Sequence, residues 1–178
     1  LKYSITLSDN NASNILFKHI VTPTETDGFV RHIAKDSAFQ IRCSESEMKD
    51  NKYLCYSNHS SPLSAALLMR QIFEQPLVGG VYQDSIKRYL SEVSTGVDRL
   101  GATVADSEMA IFAHKTGSGY RNEAGELTAH NDIGYFLYRD GRNYSLAVFI
   151  RDFRGSEQEA STVIANISKC VYKYHKND

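Results

Sequence analysis

Two short polar motifs hold the residues best suited to chemistry. The first is Ser-Asp-Asn at residues 8–10, directly before an apolar periodic segment, and the second is Lys-Thr-Gly-Ser-Gly at residues 115–119, after a β-rich one. Each motif alone is weak, because the first is a common helix N-cap and the second a common strand end. Together they offer a hydroxyl, an ammonium group, and Gly117 and Gly119, which admit close approach of the backbone to a substrate. The pair therefore indicates an acyl-transfer site built from a helix start and a strand end.

The flanking sequences extend the similarity beyond these motifs. Residues 8–17 (SDNNASNILF), 114–117 (HKTG), 131–134 (NDIG) and 147–150 (AVFI) resemble class A serine β-lactamases, in particular their cephalosporinase and extended-spectrum subgroup. The resemblance covers essentially the whole chain, as the portion of that family that follows the nucleophile helix. It implies hydrolysis of the β-lactam ring of penicillins or cephalosporins through an acyl-serine intermediate, with a small-molecule β-lactam as ligand and no cofactor.

The resemblance also implies a role for each motif residue. Ser8 passes a proton to the lactam nitrogen as the amide bond breaks, and Asn10 hydrogen-bonds the amide of the substrate side chain. Lys115 holds Ser8 and, with Thr116 and Ser118, anchors the substrate carboxylate. The backbone N–H of Ser118 supplies half of the oxyanion hole.

A long polar segment, residues 40–60, lacks helical or strand periodicity and resembles the Ω-loop of the family. By resemblance, Glu45 matches the carboxylate that activates the water for deacylation, and Glu47 competes with it for that assignment. Lys49 stands where most class A enzymes have an asparagine that holds this water, so the positioning of the water stays open.

Arg99 is a further candidate for carboxylate binding. It aligns with an arginine that has this role in the same subgroup, although its spacing to Lys115 is slightly longer than the family's. The alternative is an ordinary surface arginine.

The nucleophile motif, Ser-x-x-Lys, does not occur before residue 8, where the resemblance would place it. Its one match in the chain, residues 46–49, lies inside the polar segment with no apolar helix after it, and we interpret this match as coincidence. We therefore expect the chain to need a partner, the missing N-terminal segment of the same protein, and to be inactive alone.

Hydrophobic periodicity predicts an α+β fold, with a helical part followed by an antiparallel sheet flanked by helices. Helices are predicted at residues 10–20, 24–34, from 62 onward, 83–93 and 156–174, and strands at 109–114, 132–138 and 144–151. Asp140-Gly141, between the last two strands, predicts a hairpin turn. We assign residues 1–100 to a helical subdomain and 101–178 to three strands and a closing helix. The family's sheet has five strands, so its N-terminal strands would be absent here.

The same periodicity assigns a buried face to each of the first three helices. These faces are Ala12, Ile15, Leu16, His19 and Ile20; Phe29, Val30 and Ile33; and Leu63, Ala66, Leu67, Ile72 and Phe73. Asn10 or Asn11 is expected to cap the first of these helices.

Composition excludes several classes of function. The 20 Lys and Arg against 21 Asp and Glu form no basic stripe, so nucleic acid is not expected as a partner. No apolar run is long enough to span a membrane. The histidines show no metal-ligand spacing, and the three cysteines are expected to be free or to form at most one bridge. A periplasmic or secreted location follows from the family resemblance alone.

Two alternative functions stay open. A D,D-transpeptidase or carboxypeptidase shares the Ser-Asp-Asn and Lys-Thr-Gly logic but lacks a deacylating glutamate. A non-catalytic penicillin-recognising sensor would bind without turnover. Glu45 distinguishes these functions, because only a β-lactamase depends on it for release of the acyl group.

Overall fold

The computed structural model describes residues 1–34, 38–104 and 108–177. Its seven α-helices within these ranges are α1 (Lys2–Thr6), α2 (Asn10–His19), α3 (Pro23–Ala34), α4 (Glu45–Asp50), α5 (Pro62–Glu74), α6 (Gly80–Ser91) and α7 (Glu157–Asn177). Two 3₁₀ helices, Lys52–Ser57 and Leu100–Thr103, lie between them. The five predicted helices are therefore present, with ends that differ by a few residues, and α1, α4 and both 3₁₀ helices were not predicted.

Three antiparallel strands form one sheet in the order β1-β2-β3. They are β1 (Met109–Ser118), β2 (His130–Tyr138) and β3 (Asn143–Ile150). The hairpin predicted at Asp140-Gly141 is confirmed, and Gly141 adopts a φ of 91°, which suits glycine. β1 continues through the Lys-Thr-Gly motif instead of ending before it, because Lys115–Ser118 pair with the start of β2.

Helices cover both faces of the sheet. On one face, α7 and the second 3₁₀ helix pack over a core centred on Phe136 and Ile164. On the other face, α5 and α6 pack over Met69, Ala113 and Tyr135. Tyr135 and Phe136 are neighbours on β2 and enter opposite cores, as the alternation of a strand requires.

The predicted buried faces of α2, α3 and α5 are wrong in part, although Ile72 and Phe73 of α5 do pack against the core around Tyr135. Ile15, Phe29, Leu63 and Leu67 are all exposed. In α3 the buried residue is Asp27, whose carboxylate accepts a hydrogen bond from the backbone N–H of Ile41 at 2.8 Å. That bond holds the polar side of α3 against the segment that contains Ile41.

In α5 the buried residues are Ser64, Ala65 and Met69. The helix packs closely against β2 and β3. The small side chains of Ser64 and Ala65 permit this approach. Leu63 and Leu67 lie on the opposite side of the helix and stay exposed.

The two ends of the polar segment, residues 40–60, lie side by side. Gln40 and His59 exchange two backbone hydrogen bonds of 2.7 and 2.9 Å, which join the two ends of the segment. Helix α4 and the first 3₁₀ helix lie inside it, so the segment is a compact loop with closely spaced ends, as an Ω-loop is.

The three cysteines are free: Cys43 is buried, Cys55 is half-buried and Cys170 is exposed. No helix within the described ranges is long and apolar enough to cross a membrane.

Two isoleucines of α7 test the position of the core. Ile164 is fully buried, whereas Ile167 is 39% exposed on the same helix. Replacing Ile164 by alanine should lower the free energy of unfolding by about 2–5 kcal/mol. Ile167→Ala makes the same chemical change at a partly exposed position and should lower the free energy of unfolding by about 1 kcal/mol. Urea unfolding of both variants measures the difference, and equal losses would contradict this packing of α7.

Candidate active site

A cavity of about 530 Å³ lies where the two motifs meet. It contains every site residue predicted from the sequence, namely Ser8, Asn10, Glu45, Arg99, Lys115, Thr116, Gly117 and Ser118. Its remaining lining residues, Ser4, Ser13, Thr95, Gly119 and Tyr120, include four that the motifs did not single out. Thr95 is one of these four, and its hydroxyl lies 2.7 Å from that of Thr116. An isolated threonine in a loop gives no sequence signal for such a contact.

Ser8 sits at a sharp corner between two helices. Its φ of 52° is in the left-handed region, which is uncommon for a residue with a side chain. Asp9 then caps α2 by accepting a hydrogen bond from the N–H of Ala12 at 3.0 Å, so the N-cap is Asp9 rather than Asn10 or Asn11. The corner places the Ser8 hydroxyl inside the cavity.

Lys115 reaches the same corner from β1. Its ammonium donates hydrogen bonds to the Ser8 hydroxyl and to the Thr116 carbonyl oxygen. Burial lowers the pKa of Lys115, and nearby Asp132 and Glu45 oppose this by favouring the charged form. The strand end and the serine turn are thus joined by a direct contact.

Glu45 and Glu47 have different environments on α4. The Glu47 carboxylate accepts hydrogen bonds of 2.8 Å from the N–H and the hydroxyl of Ser44, and Ser44 accepts from the N–H of Glu47. This reciprocal capping box holds Glu47 at the exposed start of the helix. Glu45 instead lines the cavity. Burial raises the pKa of the Glu45 carboxyl, and the charge of Lys115 partly offsets the rise.

Two asparagines that the sequence analysis did not identify hold α4 in place. The Asn58 side-chain oxygen accepts from the N–H groups of Arg42 and Cys43 at 2.7 and 3.1 Å, and its amide donates to the Cys43 carbonyl at 2.8 Å. The Asn14 side chain, on α2, accepts from the N–H of Ser46 at 3.0 Å. The position of Glu45 therefore depends on bonds to the backbone on both sides of it.

Ser46 and Lys49, the ends of the Ser-x-x-Lys match, are both exposed on α4. Neither residue is among those that line the cavity. This placement agrees with coincidence as the origin of the match.

Arg99 is buried rather than on the surface. Its guanidinium donates to the Asn131 carbonyl at 2.8 Å, the Gly117 carbonyl at 3.3 Å and the Ser118 hydroxyl at 2.8 Å. Burial lowers its pKa from the ordinary arginine value. Arg99 thus contacts both β1 and β2 at the edge of the cavity and fixes the hydroxyl of Ser118.

The electrostatic character of the cavity suits an anion. Lys115 and Arg99 supply two cations, against one carboxylate from Glu45. Among residues 1–34, 38–104 and 108–177, no group of three or more His, Cys, Asp or Glu side chains is placed to hold a metal ion. The geometry offers hydroxyls, backbone N–H groups, a cation and a carboxylate, which are components of acyl transfer.

Comparison with known proteins identifies the family. A model of the beta-lactamase enzyme family matches residues 1–175, and the chain belongs to this family. It is 46% identical over 172 residues to a β-lactamase of Phocaeicola vulgatus, an alignment that takes in 97% of this chain and 54% of that protein. The chain thus spans about half the length of the curated relatives that it matches.

Solved structures agree with this assignment. A class A β-lactamase from Bacteroides cellulosilyticus superposes with a TM-score of 0.90 at 30% identity, over 99% of this chain and 62% of that one. The extended-spectrum β-lactamase TLA-3 gives a TM-score of 0.91 at 27% identity, over 97% and 62% of the two chains. The resemblance to class A serine β-lactamases and the α+β fold are therefore confirmed.

The capping of α4 can be tested without any substrate. Ser44→Ala removes the N-cap hydroxyl and should loosen the helix by about 1 kcal/mol, because such caps are worth that much. The backbone N–H of Met48, which donates to the Ser44 carbonyl, should then exchange with solvent about five-fold faster. Ser46→Ala, an exposed change within the same helix, serves as the control and should leave the exchange unchanged or slower. Unchanged exchange in Ser44→Ala would show that the cap does not hold α4.

Proposed function

We propose that this chain supplies the Ser-Asp-Asn, Ω-loop and Lys-Thr-Gly parts of a serine β-lactamase that opens the ring of penicillins or cephalosporins through an acyl-serine intermediate. The convergence of Ser8, Glu45 and Lys115 on one cavity is the observation that carries the proposal. In this proposal residues 1–100 form the helical subdomain and residues 101–178 the sheet-bearing part. The nucleophile lies on a segment outside the present sequence.

Substrate binding follows from the charge of the cavity. The β-lactam carboxylate is held by Lys115 together with the hydroxyls of Thr116 and Ser118. Arg99 acts through Ser118, whose hydroxyl it contacts at 2.8 Å. Asn10 hydrogen-bonds the amide of the acyl side chain. The substrate can approach the backbone closely at Gly117, because the space that a Cβ would occupy there is open apart from Asn131 at 4.0 Å.

Acylation requires a proton for the leaving nitrogen. As the ring amide breaks, the lactam nitrogen takes the proton of the Ser8 hydroxyl, and the proton released by the attacking serine replaces it, so Ser8 acts as a relay. The Lys115 ammonium, hydrogen-bonded to that hydroxyl, stabilises the negative charge that develops on its oxygen. The Ser118 N–H donates to the carbonyl oxygen of the tetrahedral intermediate as half of the oxyanion hole.

Deacylation requires a base for water, and Glu45 has that role in this proposal. A general base must be ionised, so the raised pKa of Glu45 places the acid limb of deacylation above the pH at which an ordinary glutamate titrates. Because Lys49 is exposed on α4, the water depends on Glu45 and the cavity hydroxyls rather than on residue 49.

The relatives also support an exported location. They are named β-lactamases, and a periplasmic or secreted location is what the family resemblance implies. We extend the proposal to a periplasmic or secreted protein on that ground.

Hydrolysis of a chromogenic cephalosporin tests the proposal directly. The chain alone should be inactive, and activity should appear when it is mixed with the part of the Phocaeicola vulgatus β-lactamase that this chain does not cover. The control is the same segment with the serine of its Ser-x-x-Lys motif replaced by alanine, which should restore nothing. Turnover by the chain alone would overturn the assignment of the nucleophile and direct attention to Ser46.

Substitution of Glu45 separates a β-lactamase from a D,D-peptidase or a sensor. In the reconstituted enzyme, Glu45→Ala should stop turnover and leave a covalent acyl-enzyme that mass spectrometry detects, because deacylation has lost its base. Glu47→Gln, on the same helix, removes a carboxylate but keeps the capping box, and it should retain turnover. A long-lived acyl-enzyme in the unaltered protein would instead favour the D,D-peptidase or sensor function.

A further inference from the structure

A buried acid–base pair lies behind the Lys-Thr-Gly strand. Asp132 on β2 is fully buried and His114 on β1 is 3% exposed. The Nδ1 of His114 lies 3.1 and 3.2 Å from the two oxygens of the Asp132 carboxylate, so the histidine donates a hydrogen bond to it. Neither residue lines the cavity, and the proposed chemistry uses neither of them.

Strand register places this pair on the face of the sheet opposite the Lys115 side chain. Asp132 is the cross-strand partner of Thr116. It lies four residues before Phe136, so its side chain enters the core beneath α7. Lys115 alternates to the other face of the sheet. The carboxylate therefore sits behind the strand that carries the ammonium, at the depth of the Lys-Thr-Gly motif.

A second hydrogen bond ties Asp132 to the segment that carries Arg99. The backbone N–H of Leu100 donates to Oδ2 of Asp132 at 3.1 Å. That N–H belongs to the peptide group joining Arg99 to Leu100. The carboxylate therefore fixes the peptide from which the Arg99 side chain extends toward Gly117 and Ser118.

Several charged groups act on Lys115, and Asp132 is the one that lies behind its strand. Glu45 approaches Lys115 from α4, Arg99 from the loop before the second 3₁₀ helix, and Ser8 from the turn between α1 and α2. Burial and the Arg99 charge lower the pKa of Lys115, whereas Asp132 and then Glu45 raise it. Asp132 is also the first of the acidic groups that raise the pKa of Arg99.

We propose that Asp132 is a positioning residue for both cations of the site: it anchors the Arg99–Leu100 peptide and places a fixed negative charge behind Lys115. A fully buried carboxylate is shielded from salt and water, so its field acts across the sheet more strongly than that of a surface acid. His114 holds the carboxylate in this orientation. The inference rests on the proposed function only in regarding the two cations as the carboxylate-binding groups.

The Asp132→Asn variant tests the charge. Asparagine keeps the size of the side chain and an oxygen that can accept from Leu100, but it removes the negative charge. The titration of Lys115, followed by ¹³C NMR of the lysine side chains and assigned with Lys115→Arg, should shift to lower pH. Asp98→Asn removes the same charge from an exposed residue beside Arg99 and should leave the Lys115 titration in place. An unchanged titration in Asp132→Asn, or an equal shift in both variants, would overturn the proposal.

A measurement on the unaltered chain tests the anchor without any substitution. The Leu100 amide should exchange with solvent as slowly as the paired amides of β2, because its hydrogen is given to a buried carboxylate. Free exchange at Leu100 would overturn the proposal whether or not Asp132→Asn folds.

Neither measurement requires catalysis, so they separate the two proposals. A shifted titration with no hydrolysis by the reconstituted protein would leave the role of Asp132 standing and remove the β-lactamase function. In an active reconstituted enzyme, Asp132→Asn should raise KM for the anionic substrate and move the alkaline limb of kcat/KM to lower pH. A loss confined to kcat with an unmoved pH profile would indicate a merely structural role.

Discussion

Keeping the ammonium of Lys115 charged while it is half-buried is the constraint on which the rest of the site depends. Burial alone favours the neutral amine. The chain offsets this with the Ser8 hydroxyl and the Thr116 carbonyl as hydrogen-bond acceptors, and with Glu45 and Asp132 as counter-charges. These groups come from a helix corner, two strands and a loop, so the ammonium can be stabilised only when all of these elements pack together.

The Ω-loop shows how the chain positions a carboxylate without a long regular element. Six-residue α4 is too short to be stable alone. Three sets of hydrogen bonds hold it in place: the cap at Ser44, the bonds between Asn58 and Cys43, and the bond from the Ser46 N–H to Asn14. Each of these contacts involves backbone groups. Glu45 can therefore point into the cavity while Glu47, two residues on, serves only the helix.

The sequence predicts the strands, the longer helices and the composition of the cavity, because turn residues, periodicity and two motifs are local signals. It predicts only in part which side of α3 or α5 is buried. That choice depends on Asp27 reaching Ile41 and on close approach of α5 to the sheet, and both are long-range contacts. It does not give Asp132 a role either. Residues 131–134 carry part of the family resemblance, but the place of this carboxylate follows only once β2 is paired with the strand of Lys115.

The left-handed backbone of Ser8 makes this position a compromise between folding and chemistry. At a φ of 52°, the Cβ of Ser8 raises the conformational energy of the backbone. Glycine would avoid this strain, and asparagine adopts the left-handed region more readily than serine does. Neither replacement offers the hydroxyl that contacts Lys115. The serine thus places a hydroxyl beside Lys115 at a conformational cost that glycine or asparagine would reduce.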